Sequence, residues 1–325
     1  MRIQDRHILP KFRDGWSYLY VDHCRIDREA QAVAIHDAKG KAPVPCATLC
    51  LLMLGPGTSI SHAAVSTLAD SGCLIFWCGE EGVRLYAYGE GKTRYAHNLL
   101  HQARLWADPD LRLQVVTKMY AVRFDDPLDE SLTLRQIRGK EGVRVRDAYA
   151  RASRETGVPW SGRSYDRGDW ASADPVNRAL STANSCLYGI CHAGILALGL
   201  SPALGFIHTG KMLSFVYDVA DLFKTRVSIP VAFRAVSEGA ENLETRVRKA
   251  CRDAFKEQHL LKEVVVQTQA VLDLRGRGRG GDRFDFDSDP SLPGVLWDPT
   301  GEEAPGGTNF AFESLTEGGD GGADP

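Results

Sequence analysis

Over the first ninety residues, apolar and polar positions alternate in short runs. WSYLYVDHCRIDREAQAVAIHD and KAPVPCATLCLLML mix β-branched and aromatic residues, and turn signals at Asp37–Gly40 and Gly55–Gly57 break them into strands. SHAAVSTLADSG reads as a short helix, with Ser61 as its N-cap and Gly72 as its stop. CLIFWCG and VRLYAYG then pair as a hairpin around Glu80–Gly82. From about Tyr95 the apolar spacing lengthens to three and four residues. It predicts helices over 95–107, 110–124, 133–156, 175–199, 213–224, 230–237 and 241–273. Asp174 followed by Pro175 is a strong helix start. The expected fold class is α+β. A small N-terminal β-rich, sandwich-like domain over 1–92 is followed by a larger all-α domain over 93–275, and an acidic Gly/Pro-rich tail, mostly disordered, covers 276–325. There is no internal repeat.

With 325 residues and 43% hydrophobic content, the chain can build real cores in two domains. No apolar run is long and clean enough to span a bilayer, and MRIQDRHILPKFRD lacks a hydrophobic signal region. The eight cysteines form no CxxC pair and sit among apolar neighbours, which reads as buried reduced thiol. The expected compartment is the cytoplasm.

The net charge of −3 hides a division: residues 282–325 hold eleven acids and one base, or −10, which leaves +7 on residues 1–281. A modestly basic body with an acidic tail suits a nucleic-acid binder that meets its partner through a local patch. The tail begins with RGRGRGG, a run that could grip phosphates or serve as a plain linker.

Candidate chemistry concentrates in FIHTGKMLSFVYDVADLFK, residues 206–224. His208 lies in a turn, and Asp218 and Asp221 follow three apart, a spacing that puts both carboxylates on one helical face. Lys211 and Lys224 bracket them. An imidazole and carboxylates beside lysines suit a hard divalent cation that meets a phosphate. Upstream, Glu141 stands between Gly139 and Gly142 in an arginine-rich helical stretch. Small neighbours there would let a metal or a nucleic-acid backbone approach the carboxylate. Plainer readings fit the same residues. Asp221 can pair with Lys224 and Glu141 with Arg144 on a wet surface, while His208 satisfies a turn.

Several longer motifs narrow the choice. GPGTSISHAAV (55–65), CGEEGVRLYAYG (78–89), LRQIRGKEGVRVRDAYA (134–150), SCLYG (185–189) and GFIHTGKMLSFVYDVAD (205–221) occur in this order. In them the chain resembles the CRISPR-associated integrase of spacer acquisition, the first-numbered Cas protein, in its type I-E form. The resemblance covers roughly residues 10–275. It implies that Glu141, His208 and Asp221 hold a catalytic magnesium or manganese ion, with Asp218 tuning or supplementing that shell. Tyr165, Trp170, Tyr188, Lys211 and Tyr217 would surround the terminal bases of captured DNA, through stacking and phosphate pairing, though aromatics can equally fill a core. Lys224, Arg138 and Arg84 would add phosphate contacts, Arg84 from the first domain. Where relatives often carry a tyrosine wedge that splits the duplex end, this chain has His23, with Tyr20 nearby.

The implied reaction is strand transfer: a 3′-hydroxyl of captured DNA attacks a phosphodiester at the CRISPR repeat. The implied assembly is a homodimer joined to a small Cas partner protein, and uncovered apolar strands such as LCLLML would form the self-association surface. Two alternatives use the same residues. One is a metal-dependent nuclease on branched DNA in repair; the other is a non-catalytic DNA-binding scaffold whose acids form surface pairs.

Overall fold

The computed structural model describes residues 17–30, 32–46, 49–79, 85–89, 96–129, 131–163, 174–274, 295–296 and 304–305. Arg84, Tyr165 and Trp170 lie outside the described residues, as does the acidic tail apart from two short strands. Met1–Arg275 form one compact unit and Gly276–Pro325 a second.

Among the described residues, the first unit opens with eight strands around one helix: β1 (Ser17–Val21), β2 (Arg25–Glu29), β3 (Ala32–Asp37), β4 (Gly40–Pro45), β5 (Leu49–Leu54), β6 (Ser59–Ile60), α1 (His62–Asp70), β7 (Leu74–Cys78) and β8 (Leu85–Gly89). They make two four-stranded sheets, ordered β1-β5-β7-β8 and β4-β3-β2-β6. In the first, β1, β5 and β7 run parallel and β8 closes the edge as an antiparallel hairpin with β7. The Ser61 side chain caps α1 by accepting from the Ala64 N–H, and Gly72 follows the helix at φ 65°, as the sequence predicts.

Both sheets and α1 share one core, in which Ile26, Val33 and Ile35 meet Leu52, Leu54, Ile75 and Leu68. The other face of the first sheet turns Leu51, Leu74 and Phe76 into the helical core. LCLLML is therefore not an uncovered strand. It is the interior strand β5, with Leu49, Leu51, Leu52 and Leu54 all buried. Such a parallel strand is apolar on both faces because both are covered. An extra residue on β5, opposite the Ser17/Tyr18 step, shifts the alternation between Leu49 and Leu51.

The helical body holds α2 (His97–Ala107), α3 (Pro109–Ala121), α4 (Leu134–Thr156), α5 (Pro175–Ala197), α6 (Ser214–Ala220), α7 (Ser228–Ser237), α8 (Leu243–Glu257) and α9 (Leu260–Val271). α5 is buried along nearly its whole length, with Asp174 capping Asn177 and Pro175 in the first turn, and its neighbours pack around it. The single helix expected over 241–273 is two, α8 and α9, broken where His259 adopts φ 47°. The apolar positions step by four through Leu243, Val247, Cys251 and Phe255, stop over the exposed polar run 256–259, and resume at Leu260, so the break falls in a polar stretch that the helix expected over 241–273 passes across. Cys24, Cys46, Cys73, Cys78, Cys186, Cys191 and Cys251 are all buried. Among the described residues, no helix is long and apolar enough to cross a membrane.

His192 on α5 sits where the first sheet meets the helices, its ring 6.1 Å from Phe76 and 5.4 Å from Tyr88. Its Nε2 is buried without a partner among the described residues. Burial pushes its imidazole down to about 4. The unfolded chain, with an ordinary value of about 6.5, takes up the proton first. The neutral ring therefore contributes fully above about pH 6.5, and that contribution drains away as pH falls toward 4, on the order of 3 kcal/mol in all. The melting temperature should fall more steeply from pH 6.5 to pH 4 in the wild type than in His192→Leu. Parallel profiles would count against the assignment.

Candidate active site

The Thr133 hydroxyl accepts from the Gln136 N–H while the Gln136 side chain reaches back to Thr133, a capping box that sets the start of α4. Glu141 lies two turns in. A Cβ added at Gly139 or Gly142 would meet nothing within 4 Å, so neither glycine serves the packing of this chain. Each costs the helix about 1 kcal/mol relative to alanine, and together they leave the surface beside Glu141 low.

Glu141 is held by two arginines. Arg144, one turn on, grips it bidentately with Nε–Oε2 at 2.7 Å and Nη2–Oε1 at 3.0 Å. Arg123, just past α3, donates from Nη1 to Oε1 at 3.1 Å, and the same nitrogen lies 3.8 Å from Asp221 Oδ2. Asp221 caps the C-terminus of α6 and pairs with Lys224 at 2.6 Å. Arg144 also donates to the Thr225 hydroxyl at 2.9 Å. Residues eighty positions apart are thus laced together by guanidinium groups, and the expected surface pairs Glu141–Arg144 and Asp221–Lys224 are present inside that network. Burial pulls the Lys224 ammonium down, but the Asp221 carboxylate and the Tyr188 side chain outweigh it and hold it above its ordinary value.

Asp218 faces elsewhere. It is fully buried, and its Oδ2 accepts from the N–H groups of Phe206 and Ile207 at 2.6 and 3.0 Å. Its Oδ1 accepts from the His208 N–H at 2.8 Å and sits 2.7 Å from His208 Nδ1. The two aspartates lie on the same helical segment and act differently. Asp218 folds the turn that carries the imidazole, and Asp221 joins the arginine network. The Asp218 hydrogen bond raises the His208 imidazole above its ordinary value, against the opposing effect of partial burial. With Nδ1 committed, Nε2 is the nitrogen left for a ligand, and a carboxylate behind an imidazole is how such rings are commonly oriented toward metals.

The same turn is braced from α2 and α3. Gln102, fully buried, donates to the carbonyls of Ser201 and Leu204, Trp106 donates to Gly205, and Arg112 donates to Gly205 and Phe206. A Cβ at Gly205 would fall 2.3 Å from the His208 carbonyl oxygen and 2.7 Å from the Ser214 backbone. Both obstacles are backbone, which cannot step aside. Gly205→Ala should therefore cost several kcal/mol and disorder the His208 turn, read as a lowered denaturation midpoint and a shifted His208 imidazole resonance. An unchanged midpoint would refute it.

Tyr188 and Tyr217 meet edge to face at 5.0 Å, with Lys224 over Tyr188 at 5.2 Å and His208 6.0 Å from Tyr217. Lys211 is exposed on the loop before α6, and Arg138 is exposed one turn before Glu141. Trp160, by contrast, stacks on Tyr149 at 4.5 Å and meets Phe233 edge to face, the core-filling role. His23 projects from the β1–β2 turn, 77% exposed, at φ 43°. The groups able to offer lone pairs to a cation are Glu141, Asp221 and His208 Nε2. Among the described residues, no three acidic, histidine or cysteine side chains are gathered tightly enough to clasp an ion as they stand. The donor set nonetheless fits one. It combines carboxylates with a pre-oriented imidazole, and a protein cation already bridges the two carboxylates. Arg123 is the member that sequence reasoning missed, because it comes from the turn after α3, distant in sequence from both carboxylates, and carries no local signal.

An all-α body bearing this site, preceded by paired β-sheets, defines a class of proteins. Solved structures share the fold at low identity: the Cas1 protein of Thermotoga maritima at 16% identity with a TM-score of 0.57, covering 81% of this chain and 97% of that one, and a casposase bound to integration product at 13% with 0.53, covering 80% and 92%. At those identities the likeness is one of fold alone. Within the class, the sequence model of the CRISPR associated protein Cas1 family matches residues 17–126 and 123–252, and the chain belongs to that family. A CRISPR-associated endonuclease Cas1 2 of Thermus thermophilus is 55% identical over 311 residues, spanning 95% of this chain and 94% of its own length. The Escherichia coli CRISPR-associated endonuclease Cas1 is 42% identical, spanning 80% and 86%. A crystal structure of a TtCas1–DNA complex has 57% identity and a TM-score of 0.73, covering 82% of this chain and all of that one.

Proposed function

We propose that this protein is a DNA endonuclease and integrase of CRISPR spacer acquisition, of type I-E, which works by transesterification: a 3′-hydroxyl of captured DNA attacks a phosphodiester of the repeat, a new phosphodiester forms, and the displaced oxygen of the repeat strand leaves as a hydroxyl. The observation that carries the proposal is the convergence of Glu141 and Asp221 on one buried guanidinium, beside an imidazole oriented by Asp218. Relatives named as CRISPR-associated endonucleases and the TtCas1–DNA complex support DNA as the substrate.

Glu141, Asp221 and His208 Nε2 would hold magnesium or manganese, which polarises the target phosphate and lowers the pKa of the attacking hydroxyl when bound. The chain's own residues do the rest. Asp218 holds Nδ1 so that the ring presents Nε2. Gly139 and Gly142 leave room for a sugar–phosphate backbone to approach Glu141. Lys211, Lys224 and Arg138 offer cations to phosphates, and Tyr188 and Tyr217 offer ring faces to unpaired bases. For the homodimer, the exposed Trp77, Tyr86 and Tyr88 of the β7–β8 hairpin replace the buried β5 as the available apolar surface. A small Cas partner protein would complete the assembly.

The direct test incubates the protein and its small Cas partner with donor DNA and a repeat-bearing plasmid, with Mg2+, Mn2+ or excess chelator. Donor should become joined to the repeat only with metal, and Mn2+ should serve at least as well as Mg2+ because an imidazole ligand favours the softer ion. Joining in excess chelator overturns the metal assignment. Cleavage of branched DNA without joining favours a repair nuclease instead.

A further inference from the structure

We propose that Arg123 is a resident counter-cation of the metal centre: in the metal-free protein it holds Glu141 and Asp221 together, and it competes with the divalent ion for their oxygens. This rests on the metal-dependent reading above and adds a residue to it. The Arg123 side chain is only 3% exposed, and its Nη1 lies 3.1 Å from Glu141 Oε1 and 3.8 Å from Asp221 Oδ2. Each carboxylate has a further cation of its own, Arg144 for Glu141 and Lys224 for Asp221. Among the described residues, Arg123 is the group that pairs with both.

Its other polar atoms show that the position is not chosen for its own comfort. Nε and Nη2 are buried without partners among the described residues, while the guanidinium lies 4.8 Å from the centre of the Tyr120 ring. Leaving donors buried and unmet is costly, and a purely structural role would be served as well by an apolar side chain of similar volume. What an apolar residue cannot do is hold two carboxylates side by side when no ion lies between them, since like charges in a partly dry site repel. The cost fits a charge that must already be in place when the metal arrives. A guanidinium cannot deprotonate in a protein, so the ion gains the shared oxygens only by displacing Nη1. The centre is thereby pre-assembled, and its affinity is held below what the ligands alone would give.

Calorimetric Mn2+ titration and thermal unfolding of wild type, Arg123→Gln and Arg123→Lys, without DNA, test this. Arg123→Gln should melt lower than wild type when metal-free, bind Mn2+ at least about tenfold more tightly, and show a larger Mn2+-induced rise in melting temperature. Arg123→Lys keeps the charge and should stay within about threefold of the wild-type affinity. A merely structural arginine would lower stability equally with and without Mn2+. Mn2+ affinity in Arg123→Gln equal to or weaker than wild type overturns the proposal, whereas a wild type that binds no Mn2+ overturns the metal reading itself. Should Arg123→Gln not fold, Arg123→Met fills a similar volume without donors and carries the same titration. If neither folds, Mn2+ must restore folding to at least one of them, and failure to do so also overturns it.

Discussion

Glu141→Ala and Asp221→Ala should each lower strand transfer by about a thousandfold or more while leaving the protein folded. The separation follows from where the side chains sit. Glu141 and Asp221 both reach solvent, with side chains 13% and 20% exposed, and neither fills a core. When Glu141 is removed, Arg144 keeps its bond to Thr225 and Arg123 keeps Asp221. The buried Arg123 guanidinium loses its hydrogen bond to Glu141 and keeps only the 3.8 Å contact with Asp221, so the cost to folding is about 2–3 kcal/mol, still below the roughly 3–5 kcal/mol of leaving a buried charge with no counter-ion. The loss in catalysis is larger because an ion with one ligand fewer is bound weakly and aimed poorly. Joining assays at saturating Mn2+, together with thermal melts, measure both. Either variant joining DNA at the wild-type rate would remove that residue from the centre.

Asp218→Asn should do the reverse and strike the fold first. The carboxylate accepts from three backbone N–H groups and lies against the imidazole Nδ1, using both oxygens twice, at 2.6–3.0 Å. An asparagine has one carbonyl oxygen and one NH2. Whichever way it turns, an NH2 faces N–H donors inside a site with no exposure. At least one backbone N–H loses its acceptor, two if the NH2 takes the Oδ2 position, and the negative charge beside His208 is gone. A loss of about 3–5 kcal/mol is expected, read as a lowered urea midpoint. Surviving folded protein should bind Mn2+ about 10–100-fold more weakly, since the ring is no longer aimed. An asparagine variant as stable as wild type would show that the turn is held by other means, with the Gln102, Trp106 and Arg112 brace the first candidate.

Much of this architecture is legible along the chain because it depends on neighbours. Helix periods, the Ser61 cap and the Asp174–Pro175 start are local events, decided within a turn or two. Glu141, His208, Asp218 and Asp221 can likewise be singled out by residue type and spacing. The division of labour between the two aspartates cannot. Three-residue spacing predicts one shared face, while their separate roles follow from the 205–208 turn folding back over Asp218 alone.

By itself, then, the sequence determined the α+β class, the order of elements and the short list of acids, imidazole and cations, because each is a property of residue type and local period, while the family followed from a resemblance carried by five motifs in order. Only tertiary structure decided that LCLLML is an interior strand rather than a docking face, since burial depends on which sheet and which helices cover it. Only it turned the polar run 256–259 into a break at His259, because a run of exposed polar residues reads equally as the wet face of one helix or as the turn between two. And only packing brought Arg123 across from the end of α3 to stand between Glu141 and Asp221, because charges distant in sequence interact through space, at ångström distances that no spacing rule encodes.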